Sequence, residues 1–261
     1  MSLVSLHDRS ELAALFGRDP ALHLFELGDL DDLLWPGTTW YTSAHGGPVA
    51  LLYAVSQTPT LLGFGRPAQA PALERLLDAM LPVLPRRFLG HLTGNGAKVL
   101  EAAYRVDHRT TMLRMALTDP ARAARHEGGP WRPEVLRRAD LPELTGLFAE
   151  AYPGNWFDER MLDSGQYVGV RHEGRLVATA GVHAYSPTYR AAAIGNVTTH
   201  PLLRGRGAAA ACVAELCRLL ARSVDHIGLN VRADNAPALA LYRRLGFTDV
   251  TEFTEGVFTA A

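Results

Sequence analysis

The chain has 261 residues, of which 48% are hydrophobic and 20% are charged, and its formal net charge is −1. The length predicts about two globular domains with sizeable cores, and the near-zero charge excludes a general attraction to nucleic acid or to anionic membranes. No segment is apolar for long enough to span a bilayer, and Met1–Arg9 lacks the pattern of a secretory signal. We therefore expect a cytoplasmic protein that binds neither nucleic acid nor membrane.

The first half of the chain contains a predicted series of strands and one helix. The aromatic pair Trp40-Tyr41 is followed by a turn at His45-Gly46-Gly47 and by an apolar strand at Val49–Val55. A helix is expected near Leu73–Met80 and a further strand near Phe88–Leu92.

A stretch rich in proline, glycine and charge at residues 118–133 divides the chain nearly in half. This composition is typical of a linker, so we predict two domains, residues 1–125 and residues 130–261. The elements expected in the second half are a helix at Leu141–Ala151, a loop through Tyr152–Trp156, a helix near Asp158–Asp163, strands at Tyr167–Arg171, Leu176–Ala184 and Ala191–Thr198, and a strand at Ile227–Val231.

A glycine loop with two arginines follows the strand at Ala191–Thr198 and runs into a helix. Gly205 and Gly207 permit a sharp turn and a close approach of the backbone to a ligand. The free N–H groups at the start of the helix would point at that ligand, and two arginines add positive charge. The pattern predicts a site for an anion with more charge than one carboxylate, such as a pyrophosphate.

The last predicted helix is short and has clear boundaries. Asn235 is a suitable N-cap, Pro237 falls in the first turn, and Gly246 is a natural stop. The helix before it carries Cys212 and Cys217, whose spacing of five residues fits neither a redox pair nor a metal pair.

The glycine loop also fits a dinucleotide-binding fingerprint. Gly205-x-Gly207-x-x-Ala210 has the required spacing, and Asp225 lies at about the distance of a ribose-binding carboxylate. A doubly wound dinucleotide fold needs several further βα units after this loop. Only one convincing strand and one short helix follow, so this interpretation is disfavoured.

Two segments together resemble the signature motifs of the GNAT superfamily of acyl-CoA-dependent N-acyltransferases. They are Arg204-x-x-Gly207-x-Ala209 and Val231-x-x-x-Asn235-x-x-Ala238-x-x-Leu241-Tyr242-x-x-x-Gly246-Phe247, in the family's order and at its separation. The resemblance extends from about Trp131 to the end of the chain. Residues 195–201 and 229–231 are most similar to the glycine N-acyltransferase-like branch.

The resemblance implies an α/β (mixed α+β) fold of two tandem GNAT-like domains, each a mixed, mostly antiparallel twisted sheet flanked by helices. The order of turn, strand and helix in the first half resembles that of the second, so we interpret it as a degenerate duplicate. Its loop at Gly63–Pro67 lacks the arginine and glycine spacing, and Pro67 removes one N–H donor.

The resemblance also implies the chemistry. A GNAT domain would transfer an acetyl or short acyl group, not an aminoacyl group, from acetyl-CoA to the amine of a small molecule or peptide. In the family the fourth strand, here Ala191–Thr198, has a bulge and diverges from the fifth, so that its backbone pairs with pantetheine. The implied cofactor-binding residues are Val197, Thr198, Thr199, Arg204, Gly205, Arg206, Gly207, Ala208, Ala209, Asn230 and Asn235.

Tyr242 is the implied general acid, because a tyrosine at this position of the family reaches the sulfur. The sequence leaves the identity of the general base open. Many relatives have a glutamate on the fourth strand, whereas Ala191–Thr198 contains no carboxylate. The alternatives are His183, Glu150 or a water molecule held by Asn196, although a single histidine on a strand is commonly structural.

Two further points concern ligands. The ten histidines show no metal-ligand spacing, so we expect no metal. Tyr152, Trp156 and Phe157 lie where relatives contact acceptors, which suggests an apolar wall. Because the fourth strand lacks a carboxylate and the first half is degenerate, a non-catalytic acyl-CoA-binding or sensing protein is the alternative function.

Overall fold

The computed structural model describes residues 2–32, 34–54 and 58–261. The chain forms two compact units. The first unit comprises Met1–Arg114, Val231–Asn235 and Val250–Ala261, and the second comprises Met115–Asn230 and Ala236–Asp249. Both are mixed α/β units built on a mostly antiparallel sheet flanked by helices. The predicted division lies near residues 125–130, whereas residues 115–125 belong to the second unit and residues 231–235 and 250–261 belong to the first.

The helices and strands follow one another along the chain with these bounds: β1 Leu3–Leu6, α1 Arg9–Phe16, α2 Leu24–Asp29, β2 Thr38–Ser43, β3 Ala50–Tyr53, β4 Thr60–Gly63, α3 Ala70–Met80, β5 Arg87–Leu92, α4 Gly96–Leu100, β6 Tyr104–Leu117, α5 Pro120–Ala124, β7 Glu134–Val135, α6 Leu141–Ala151, β8 Val168–His172, β9 Arg175–Ser186, β10 Ala191–Thr199, α7 Ala208–Leu220, β11 His226–Arg232, α8 Ala236–Arg244 and β12 Phe247–Ala260. Short 3-10 helices lie at Trp35–Gly37, Pro67–Gln69, Leu81–Val83, Arg138–Asp140, Glu159–Ser164 and Pro201–Leu203.

The same local topology occurs in each unit. In the first unit the strand order is β1-β2-β3-β4-β5-β12-β6, and in the second it is β11-β10-β9-β8-β7. Antiparallel neighbours lead to one parallel pair in each, β4 with β5 and β10 with β11. The connecting helices are α3 and α7. The predicted duplication is therefore visible in the order and direction of the strands.

Apolar spacing explains why these connecting helices form. On α7 the residues Val213, Leu216, Cys217 and Leu220, at three- and four-residue spacing, are buried. On α3 the buried residues, Leu73, Leu76, Leu77 and Met80, recur at three- and four-residue intervals. The turn between β8 and β9 has positive φ at Glu173 (51°) and Gly174 (79°), which matches the twist of a two-residue hairpin.

The segment at residues 118–133 is not a free linker. It belongs to the second unit and contains α5, whose C-terminal carbonyls are bound by a side chain of α7. The Arg218 guanidinium donates to the carbonyls of Ala123 at 3.1 Å and His126 at 3.3 Å. The composition of residues 118–133 predicted a linker between domains, but these hydrogen bonds hold the segment against α7.

Two other expectations differ from the structure. The helix expected near Asp158–Asp163 is a 3-10 helix at Glu159–Ser164. The chain after α8 contains the strand β12, so the expectation that only one strand follows the glycine loop is wrong. Val55, the last residue of a predicted strand, lies outside the described residues. Among the residues that are described, no helix combines the length and apolar character that crossing a bilayer requires.

Candidate active site

The parallel pair β10 and β11 separates partway along its length. Their register runs from Ala191 opposite His226 to Ile194 opposite Leu229, whereas β10 continues to Thr199. On its other side, β10 shifts register against β9 between Gly195 and Thr198. The expected bulge and divergence are confirmed. The backbone of Val197, Thr198 and Thr199 lies in this separated part, where a ligand can be added as an extra strand.

Asn196 occupies the bulge in the left-handed conformation, with φ 52°. Its Nδ2 donates to the Trp156 carbonyl at 3.0 Å and to the Tyr167 hydroxyl at 2.9 Å. Because a carbonyl only accepts hydrogen bonds, these partners fix which way the amide faces. Asn196 is 3% exposed, and its Oδ1 has no hydrogen-bond partner among the described residues. A buried hydrogen-bond acceptor at the bulge, Asn196 Oδ1, therefore has no donor among the described residues.

Two aromatic rings cover glycines on the strands at this site. A Cβ at Gly181 would collide with the Tyr167 ring, and a Cβ at Gly195 would collide with the His183 ring. The Tyr167 hydroxyl donates to the Val182 carbonyl at 3.2 Å. These glycines let the rings lie directly on the sheet, which brings His183 to the bulge.

Two of the three alternatives for the base, His183 and Asn196, therefore lie at the bulge of β10. The His183 ring also meets the Trp156 ring edge to face, with centroids 5.4 Å apart. Glu150, the third alternative for the base, lies at the end of α6 in ion pairs with His200 at 3.0 Å and Arg175 at 3.6 Å.

The glycine loop has the predicted conformation. Gly205 and Gly207 have φ of 75° and 86°, and α7 begins at Ala208. The Ala211 N–H donates to the Gly207 carbonyl at 3.0 Å. The N–H groups of residues 208–210 therefore precede the first intrahelical bond, and they form the positive end of the helix.

The two arginines of the loop differ in their surroundings. Arg204 donates from Nε to the Thr199 carbonyl and from Nη2 to the Ala151 carbonyl, both at 3.2 Å. It therefore ties the loop to the ends of β10 and α6. Arg206 has an exposed side chain, and its carbonyl accepts a hydrogen bond from the Trp131 indole.

Tyr242 lies on α8, is 7% exposed and packs against Phe247 with ring centroids 5.8 Å apart. Burial raises the pKa of its phenol above 10, and nearby Tyr152 and Cys217 raise it further. The phenol therefore keeps its proton at neutral pH, as a general acid must.

The two asparagines predicted to bind the cofactor belong to different units. Asn230 lies on β11 in the second unit. Asn235 directly precedes α8 and belongs to the first unit, where its N–H donates to the Arg232 carbonyl at 3.0 Å. The cofactor roles of both stay predictions.

A nucleophilic cysteine is disfavoured by burial. Cys212 and Cys217 are 0% and 3% exposed. Burial raises the pKa of both thiols, that of Cys217 to about 12. A thiolate is the reactive form, so burial and a raised pKa disfavour an acyl-cysteine intermediate at either residue. Within the described part of the chain there is also no cluster of ligands that could hold a metal ion.

The first unit lacks the open arrangement at the equivalent place. There β4 is paired with β5 to its end, where Gly63 lies opposite Leu92, and the Thr93 N–H donates to the Gly63 carbonyl at 3.0 Å. The loop N–H of Gly65 donates to the Thr93 hydroxyl, also at 3.0 Å. At this place the strands stay paired and the Gly65 N–H is already hydrogen-bonded within the chain.

Sequence reasoning did not single out Tyr167. Its contact with Asn196 joins residues 29 positions apart, so no local sequence pattern predicts this contact. Gly181 and Gly195 were the available signals, because glycine inside a strand marks a close approach of another group.

The second half of the chain matches a family model. The model of the acetyltransferase (GNAT) family matches residues 134–247. The chain is 34% identical over 127 residues to N-alpha-acetyltransferase RimI of Mycobacterium tuberculosis, which covers 44% of this chain and 77% of that protein. It is 39% identical over 95 residues to a mycothiol acetyltransferase of Clavibacter michiganensis, covering 36% of this chain and 29% of that protein. The chain thus spans less than a third of the length of that relative.

Solved structures share the fold over nearly the whole chain. A Drosophila protein of 16% identity has a TM-score of 0.72 and covers 99% of this chain and 98% of its own. A tandem GNAT protein from the clavulanic acid biosynthesis pathway, 14% identical, has a TM-score of 0.54 and covers 98% and 97%. The glycine N-acyltransferase-like branch stays a prediction. Taken with the open strands and the glycine loop, the RimI match shows that the chain belongs to the GNAT family of acetyltransferases.

Proposed function

We propose that the second unit transfers an acetyl group from acetyl-CoA directly to the amine of a small-molecule or peptide acceptor. The observation that carries this proposal is the divergence of β10 from β11 beyond Ile194, directly before a glycine loop at the start of α7. The separated strand has backbone groups to pair with the pantetheine amides. The helix start has N–H groups and positive charge for the pyrophosphate.

Different residues of the chain would act on the amine, the thioester oxygen and the departing sulfur. The amine nitrogen forms a bond to the thioester carbon while the carbon–sulfur bond breaks, and a proton goes from nitrogen to a base. A main-chain N–H of Val197 or Thr198 would donate to the thioester oxygen. Tyr242 Oη would give its proton to the departing sulfur.

We infer that the amine proton leaves at the bulge, either to His183 or to a water molecule held by Asn196. Both residues lie beside the separated part of β10, whereas Glu150 is engaged by His200 and Arg175. The pH profile of kcat/KM for the amine tests this choice. A change of the acidic limb in His183→Ala supports His183 as the base, and an unchanged limb rules this residue out.

The acceptor is proposed to carry an apolar or aromatic group near its amine. Tyr152 and Trp156, on the loop after α6, are 43% and 45% exposed, and Trp156 is hydrogen-bonded to the bulge through its carbonyl. Such rings offer contact area for an apolar group. The names of the relatives point to α-amino groups and to mycothiol chemistry, so peptide N-termini and small amines both belong in the test panel.

Calorimetry with acetyl-CoA, followed by thiol release over a panel of amines, tests the function. Acetyl-CoA binding with acceptor-dependent thiol release supports the transferase. Binding without acceptor-dependent release would favour the alternative, a non-catalytic acyl-CoA sensor. No binding at all would contradict both.

A matched pair of charge reversals tests the anion site. Arg206→Glu should weaken acetyl-CoA binding by about tenfold to a hundredfold, because a charged contact to phosphate is lost and repulsion is added. Arg222→Glu makes the same change at an exposed position beyond the other end of α7 and should leave binding unchanged. Equal effects of the two would contradict a phosphate site at the loop.

A further inference from the structure

Trp131 is hydrogen-bonded to the glycine loop from a segment 75 residues earlier in the chain. Its Nε1–H donates to the Arg206 carbonyl at 2.7 Å, and its side chain is buried, with 8% of the residue exposed. A short hydrogen bond from a buried indole to a backbone carbonyl restrains the peptide that contains this carbonyl.

The restrained peptide is the one that joins Arg206 to Gly207. In a trans peptide the C=O and the following N–H point in opposite directions. With the Arg206 carbonyl held by Trp131, the Gly207 N–H must therefore point away from the indole. Gly207 is exposed and has φ 86°, so the residue itself is open to a ligand from solvent. Rotation of the same peptide by half a turn would present an oxygen to an anion instead of a donor.

Trp131 is itself held against the first turn of α7. Its backbone N–H donates to the Gly128 carbonyl at 3.2 Å. Gly128 has φ 72°, and a Cβ there would lie 3.4 Å from the Ala211 Cβ. The indole also meets the His172 ring edge to face, with centroids 6.1 Å apart. The turn from Gly128 to Trp131 therefore packs against α7, the helix that the glycine loop precedes. The turn lies before the segment that matches the family model.

We propose that Trp131 is a positioning residue for the anion site: by holding the Arg206 carbonyl, it turns the Gly207 N–H toward the pyrophosphate of acetyl-CoA. This inference rests on the proposed function, because it assumes that the loop binds the diphosphate. It gives the segment at residues 118–133 a role in cofactor binding. The indole orients a donor and does not touch the reacting atoms.

Trp131→Phe removes the N–H donor and retains an aromatic ring. We expect the Kd for acetyl-CoA, measured by calorimetry, to rise about tenfold, as for the loss of one well-placed donor. Acetylpantetheine lacks the pyrophosphate, so kcat/KM with this acetyl donor should stay within about twofold of the wild type. A merely structural role would lower both quantities together.

Trp40→Phe is the matched control. Trp40 is 1% exposed and donates from Nε1 to the Thr38 hydroxyl at 2.9 Å in the first unit. It should leave the Kd for acetyl-CoA unchanged. If Trp131→Phe does not fold, benzothienylalanine at position 131 keeps the bicyclic shape without the N–H, and the same tenfold loss is expected.

The outcomes separate this inference from the proposed function. If the wild type does not bind acetyl-CoA, the proposed function fails. If the wild type binds and the position-131 variants bind as tightly, the inference is overturned while the function stands. If acetylpantetheine turnover falls in parallel with acetyl-CoA affinity, the role of Trp131 is structural and the inference is likewise overturned.

Discussion

Arg66 and Asp19 form a two-pronged ion pair in the first unit, with Nε 2.6 Å from Oδ2 and Nη2 3.0 Å from Oδ1. Burial alone would raise the pKa of Asp19, but the hydrogen bonds and charge of Arg66 hold it below its usual value. Arg66 belongs to the loop that corresponds to the glycine loop of the second unit. The arginine of this loop, Arg66, is therefore already bound to a carboxylate of the chain itself, that of Asp19.

We predict that one chain binds one acetyl-CoA. In the first unit β4 and β5 stay paired to the end of β4, and the loop N–H groups of Gly65 and Arg66 donate to side chains. A pantetheine strand and a pyrophosphate would have to displace these bonds. Calorimetric titration should give a stoichiometry of about one per chain.

Asp19→Ala distinguishes two features of the first unit that oppose binding, the carboxylate bound to Arg66 and the pairing of β4 with β5. The substitution frees the Arg66 guanidinium but leaves the strands closed, so the stoichiometry should stay at one. A second site in the wild type would contradict the prediction. A second site in the variant alone would show that the carboxylate, and not the strand pairing, blocks binding.

The sequence predicted those features that depend on neighbours along the chain. The helix Leu141–Ala151 has the predicted bounds, and the glycine loop has its two positive φ angles. Contacts between distant residues were missed. The strand β12 pairs with β5, about 165 residues earlier, and its frequent Thr and Glu residues gave no strong apolar run.

We predict that Tyr242→Phe lowers kcat by roughly a hundredfold with little change in the Kd for acetyl-CoA, because only the proton donor to sulfur is lost. Steady-state kinetics and calorimetry measure the two quantities. Burial raises the pKa of the Tyr242 phenol above its usual value, so the phenol stays protonated at neutral and mildly alkaline pH. The wild type should therefore show no loss of kcat from this group in that range.

Tyr185→Phe is the control for loss of a hydroxyl. Tyr185 lies on β9 and donates to the Ser223 hydroxyl at 3.0 Å. We expect its kcat to stay within about twofold of the wild type. Equal kcat in Tyr242→Phe and the wild type would remove Tyr242 from the chemistry.

A buried ion pair in the first unit predicts a pH-dependent stability. Glu26 is 1% exposed, lies 3.4 Å from the Arg114 guanidinium and accepts a hydrogen bond from His23 at 3.2 Å. Burial tends to raise the pKa of Glu26, but Arg114 and His23 hold it below 4.5. Since the folded pKa is lower than the unfolded one, this carboxylate stabilises the fold above about pH 4.5 and the stabilisation is lost at lower pH.

Glu26→Gln should therefore lower the free energy of unfolding by about 3–5 kcal/mol at pH 7, because it leaves the buried Arg114 charge without this carboxylate. The deficit should shrink as the pH falls below about 4.5. Urea denaturation at pH 7 and at pH 4 measures both values. Glu11→Gln, at an exposed position of α1, should change stability by less than about 0.5 kcal/mol. A deficit that is independent of pH would show that packing, not charge, stabilises this cluster.

The end of the chain should stabilise the first unit and not the second. Phe258 of β12 is 0% exposed and stacks on Phe88 of β5, with ring centroids 5.1 Å apart. A Cβ at Gly90 would meet the Phe258 ring, so the absence of a side chain at Gly90 makes room for it. Phe258→Ala should lower the free energy of unfolding by about 3–5 kcal/mol, whereas Phe258→Leu, which retains most of the volume, should lower it by less than about 1.5 kcal/mol.

Native-state hydrogen exchange locates the effect of Phe258→Ala within the chain. Amides of β3 and β5 should lose protection in Phe258→Ala and those of β8 and β9 should keep theirs, because the ring packs within the first unit. Equal loss in both sets would mean that the two units unfold together, and an unchanged β5 would mean that β12 does not support this sheet.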